Sequence, residues 1–125
     1  MILFSTIIVF EVYSDVEGPS IYQIDVLPVS PSVGGQISVT AYGIDASGIS
    51  KAQLSYTIDG EKWEVQDMMF IACLCAAGGR WVSTFGPISE GDLPMFYVTM
   101  FDNSPIVNPS SSQTFSIEIV NQSSG

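Results

Sequence analysis

The chain contains no histidine. A Ser-His-Asp or Cys-His nucleophile needs that imidazole as its base, so those arrangements are excluded. Three cations, Lys51, Lys62 and Arg80, stand against thirteen Asp and Glu, for a formal net charge of -10. Phosphate chemistry therefore lacks its usual clamps, and phosphate backbones and anionic membrane surfaces repel so acidic a chain. Charged residues make up only 13% of the sequence, and the acids are scattered, so there is no acidic tail. Cysteine is limited to Cys73 and Cys75, too few to complete a four-ligand zinc site without His. The most apolar run, Met1 to Phe10, falls short of the ~20 residues that a membrane-spanning helix needs.

What is there suits one domain. At 125 residues and 46% hydrophobic content, the chain is long enough to bury a single core and too apolar to stay disordered throughout. With few charges and eighteen serines, the surface is covered largely by uncharged polar side chains. The stretch from Gly34 to Trp63 sets the pattern. Ile37, Val39 and Ala41 alternate with Ser38, Thr40 and Tyr42, the period of a strand with one buried face. Asp45-Ala46-Ser47-Gly48 interrupts it with turn formers. Leu54, Tyr56 and Ile58 then alternate with Gln53, Ser55 and Thr57, and Asp59-Gly60 predicts a tight hairpin turn.

The rest of the chain reads the same way. Residues 1–17 hold an apolar segment, Met1 to Phe10, either an extended strand or the remnant of a membrane segment, and a connector that starts at Glu11 and runs into Gly18-Pro19. Ile21 to Leu27 reads as a first strand, with Tyr22, Ile24 and Val26 on one face. Within Trp63 to Cys75, Val65 and Met68 to Leu74 are almost continuously apolar. Arg80 to Phe85 is a strand with Trp81 and Phe85 on one face, and Met95 to Phe101 one with Phe96, Val98 and Met100 inward. Asn108 to Ser112 reads as a polar loop before a last strand, Thr114 to Val120, with Phe115, Ile117 and Ile119 inward; residues 121–125 read as a flexible tail. Seven to eight short strands, turn signals every 8–12 residues or so and no helix predict an all-β, two-sheet antiparallel sandwich over residues 18–120.

ISVTAYGIDASGI (37–49), Leu54-Ser55-Tyr56, Gly60…Trp63, FYVTMFDN (96–103) and the final FSIEIV together resemble immunoglobulin-like and fibronectin-type-III-like modules of surface proteins. Asp102-Asn103-Ser104-Pro105 also resembles a cadherin-like segment, without the fuller set of calcium-binding acids. The inter-sheet cysteine pair of antibody domains is missing. The resemblance implies an immunoglobulin-like sandwich in an extracellular or cell-surface protein, contacting neighbouring domains or partner proteins. It implies no membrane contact beyond an anchor outside the domain.

Four groups of residues carry candidate chemistry. Cys73 and Cys75, two apart, face one side of a strand and read as small buried residues rather than a metal or redox pair. Glu61, Glu64 and Asp67 could in principle pair as acid and base, but read as exposed residues after a hairpin. Trp63, Tyr97 and Phe101 either pack between strands and neighbouring domains or, if they share an exposed face, stack on sugar rings. Asp45, Asp102 and Asn103 open two loops that an immunoglobulin-like topology brings to one pole. They form a candidate calcium set, or each Asp caps its own turn. The expectation is a non-enzymatic spacer or adhesion module without a cofactor and without a nucleic-acid partner. The alternative is a carbohydrate-binding accessory module of an extracellular enzyme.

Overall fold

The computed structural model describes residues 18–73 and 79–120. The N-terminal segment and connector, Cys75 and the C-terminal tail with its Asn121-Gln122-Ser123 glycan-acceptor pattern lie outside the described residues.

Among the described residues there are nine strands, against the seven to eight expected, and no helix; they form two antiparallel sheets. The chain order is β1 (Ser20–Leu27), β2 (Ile37–Ile44), β3 (Ile49–Thr57), β4 (Trp63–Asp67), β5 (Met69–Ile71), β6 (Arg80–Phe85), β7 (Met95–Asp102), β8 (Pro109–Ser111) and β9 (Phe115–Ser116). One sheet runs β1-β2-β6-β5; the other runs β4-β3-β7-β8, with β9 also pairing β7. The two sheets pack face to face as an antiparallel β-sandwich. The two inner faces meet in a core that includes Ile37, Val39, Leu54, Trp81, Phe85, Phe96, Val98 and Met100.

Alternation produces this core. On β2, Ile37, Val39 and Ala41 are buried while Ser38, Thr40 and Tyr42 are partly exposed. On β7, Phe96, Val98 and Met100 are fully buried. Tyr56 and Phe115 pack against the core but stay half-exposed, because they lie towards its margins. The Asp45–Gly48 loop does not fold β2 back onto β3. It arches between the sheets, so the two strands contribute opposite walls of the core.

Three local departures from the sequence pattern have identifiable causes. On β1, Ile21 pairs with Gly43 and Gln23 with Tyr42, so Tyr22 is an extra residue in a bulge. The bulge resets the parity: Ile21, Ile24 and Val26 pack inward, and Tyr22 is expelled to stack near Tyr42. The β3–β4 hairpin closes at Thr57–Trp63, so its loop spans residues 58–62 instead of a two-residue turn. Among the described residues no non-glycine residue has positive φ, which excludes a type I′ Asp-Gly turn; Asp59 instead accepts the N–H groups of Glu61 and Lys62. These bonds, Lys62's first, hold the Asp59 carboxyl below its ordinary value. Finally, the serine run forms strand β8. The Ser112 hydroxyl accepts the Val98 N–H at 3.0 Å while the Ser112 N–H donates to the Val98 carbonyl, so this serine bridges the register step between β8 and β9.

Gly86 marks a close approach. Its φ is +132°, and a Cβ there would lie 3.1 Å from Gln36 Cα and 3.2 Å from the Gly35 carbonyl oxygen. Gly86→Ala is expected to lower unfolding free energy by about 1–3 kcal/mol, read by urea denaturation. An unchanged midpoint would show that the β6 exit relaxes freely.

Candidate functional site

The outer face of the five-stranded sheet gathers the rings that the sequence left unplaced. Register settles which side chains share it. Thr57 pairs with Trp63 on one side and Met95 on the other, Ser55 with Val65 and Tyr97, and Lys51 with Phe101. Residues paired across strands project to the same face. Trp63, Val65, Met95, Tyr97 and Phe101 therefore all lie on the face opposite the core.

The central strand presents small residues between large ones. Ser55 and Thr57 are buried although they point away from the core, because bulkier side chains on β4 and β7 flank them. Trp63 and Tyr97 lean together across this strip, with ring centroids 5.6 Å apart and planes at 44°. Trp63 remains 41% exposed and Val65 60% exposed. Farther along, the Lys51 ammonium lies 4.8 Å from the Phe101 ring centroid, a cation–π contact. Polar groups border the rings: the Thr99 and Ser111 hydroxyls are 2.8 Å apart, and the Gln53 amide donates to Asp67. The outer face of the other sheet is mixed: Ser38 pairs with Thr84 and Leu27, and Thr40 lies between Asp25 and Val82, with Met69 beyond.

The aspartate loops do meet at one pole. Ile49 pairs with Asp102, and the Asn103 N–H donates to the Gly48 carbonyl at 3.0 Å. Their carboxylates, however, are engaged by the protein. Asp45 Oδ2 accepts the Ser47 N–H and hydroxyl at 2.9 and 2.7 Å. Asp102, 1% exposed, accepts the Ser104 hydroxyl (2.8 Å) and the Asn108 N–H (2.8 Å) on Oδ1, and the Asn108 side-chain amide (3.0 Å) on Oδ2. Burial pushes this carboxyl up, but the donated hydrogen bonds outweigh it and leave the pKa below its ordinary value. Among the described residues no group of three or more His, Cys, Asp or Glu is placed to hold a metal ion. The geometry is that of two capped turns tied together through Asn103. The thermal midpoint is expected to be the same in millimolar calcium and in chelator. A rise of the size that saturating ligand gives, about 2.7 kcal/mol at 100 times Kd, abolished by Asp102→Ala, would show that these turns open to take the ion.

Cys73 corrects an expectation. It is disulfide-bonded and only half-buried, not a thiol packed in the core. The reason is positional: β5 ends at Ile71, and the chain then leaves the edge of its sheet. Glu64 and Asp67, three apart on β4, project to opposite faces of the sheet, so they do not oppose one another across a cleft.

No protein-family model matches this chain, and no curated protein matches it.

Proposed function

We propose that this chain is a non-catalytic interaction module of a larger surface or secreted protein, and that it docks its partner on the outer face of the five-stranded sheet. The observation that carries this reading is the convergence of Trp63, Tyr97 and Phe101 on one face beside exposed Val65. Exposed aromatic residues over a dry, small-residue strip are the usual anchors of a protein interface. The disulfide at Cys73 supports an oxidising compartment, in keeping with a surface or secreted setting. The test is hydroxyl-radical footprinting of the chain within its native preparation and after purification. Trp63 and Tyr97 are expected to be protected only in the native preparation. Equal labelling in both would contradict the reading.

A saccharide partner is the second reading, favoured by the hydroxyl and amide groups that border the ring pair. Trp63 would stack on a sugar face while its neighbours bond the ring hydroxyls. Trp63→Ala is expected to leave the fold intact at the cost of the ring contact with Tyr97, about 0.5–1.5 kcal/mol, and to remove any saccharide-induced quenching of tryptophan emission. Quenching that persists in Trp63→Ala would exclude the ring pair as the sugar site.

A further inference from the structure

Away from the aromatic rings, between the β6–β7 connection and the last strand, lies a groove of ≈ 510 Å³. That volume falls within the range of ligand clefts. Its apolar lining comes from Val33, Leu93, Ile117 and Ile119. Leu93 is 64% exposed and Val33 47%, while Ile117 and Ile119 anchor the other wall by packing against the core. The carboxylates of Glu90, Asp92 and Glu118 line the same groove. None of the chain's three cations is among the lining residues. Asp92 is already engaged, accepting the Ser89 N–H at 2.6 Å and so holding the turn. Glu90 and Glu118 are exposed.

The Ile117 N–H donates to the Pro94 carbonyl on the β7 side, and the Val120 N–H to the Pro31 carbonyl on the other, so the segment that follows β9 is fixed as one wall of the groove. An apolar lining and a carboxylate border together match one chemistry. We propose that this groove docks a segment of a partner protein that carries both basic and aliphatic residues. Its aliphatic side chains would enter between Leu93 and Ile119, and its basic ones would meet Glu90 and Glu118. A second copy of this chain is disfavoured as the occupant by its charge of -10. The site uses none of Trp63, Tyr97 or Phe101, so it stands independently of the aromatic face.

The test is fluorescence anisotropy of the intact chain with labelled six-residue peptides: Lys-Val repeats, Glu-Val repeats and Lys-Gly repeats. The Lys-Val peptide is expected to bind saturably at one site, with the Lys-Gly peptide at least tenfold weaker and no binding by Glu-Val. The double variant Glu90→Gln/Glu118→Gln is expected to weaken Lys-Val binding at least tenfold. A control, Glu61→Gln/Glu64→Gln, removes the same charge from β4 and its loop and is expected to change affinity less than twofold. All four positions are exposed, so both variants should fold, which a thermal melt verifies. Equal weakening by both double variants would reduce the attraction to net charge and overturn the proposal. So would equal binding of Lys-Val and Lys-Gly, or no binding of Lys-Val at millimolar concentration.

Discussion

Phe96→Ala is expected to lower the unfolding free energy by about 3–5 kcal/mol, a large share of the 5–15 kcal/mol that holds a typical domain together. Phe96 is fully buried near the start of β7. Its ring stacks on Phe115 at 5.2 Å and meets Phe85 at 6.3 Å, so one side chain links the last strand to the opposite sheet. Truncation removes the transfer energy of the ring and leaves a cavity that three strands border. Phe85 in turn stacks on Tyr56 at 4.8 Å, which limits how far the neighbours can collapse into the space. Leu54→Ala, on the adjacent central strand, should cost about 2–5 kcal/mol for the same reason. Urea denaturation measures both. A loss below 1 kcal/mol for Phe96→Ala would mean that the aromatic cluster is not the centre of the core.

Asp102→Ala is expected to destabilise the fold far more than Asp45→Ala, although both residues open loops at the same pole. Asp45 serves one neighbour, Ser47. Asp102 is buried and gathers donors from Ser104 and Asn108, and the Asn108 carbonyl returns a bond to the Asp102 N–H. Removing the carboxylate leaves those donors facing alanine in a closed site. The carboxylate also gives stability a pH dependence. Its folded pKa lies below the unfolded value near 3.8, so the folded state favours the ionised form. The stabilisation is fully present above pH 3.8 or so and is lost as pH falls through the depressed folded pKa. Asp59, lowered in the same direction, adds to this acid limb. Asp102→Asn should therefore show a shallower loss of stability between about pH 5 and pH 2 than the native chain. An identical acid limb in the two proteins would place the titrating groups elsewhere.

Much of the sandwich was legible because burial on one face of a strand writes itself as alternation. The inward sets of β2, β6 and β7 follow directly from the sequence. Where the pattern misled, a hydrogen bond or an extra residue had overridden it. The β1 bulge cannot be read from Ile21 to Leu27 alone, because it depends on the register with Gly43 and Tyr42. Serine has no strong strand preference, so the run at 110–112 read as loop; its hydroxyls and backbone complete the β7 ladder through tertiary context. The aromatic face was visible as three residue types but not as a surface. Trp63 and Tyr97 are far apart in sequence, and only the pairing of both β4 and β7 with β3 brings their rings together. The groove beside Leu93 left less trace still. Val33, Glu90 and Glu118 belong to three segments that meet only when the sandwich closes.

The most direct measurement places a photo-cross-linking residue at Val65, on the aromatic face, and separately at Thr40, on the outer face of the opposite sheet. Each variant is made in the chain as it occurs in its native protein and setting. The proposed docking face predicts a discrete cross-linked adduct from position 65, absent from position 40 and lost when Trp63→Ala and Tyr97→Ala are combined with the position-65 probe. An adduct from position 40 alone, or one at position 65 that survives removal of both rings, would contradict it.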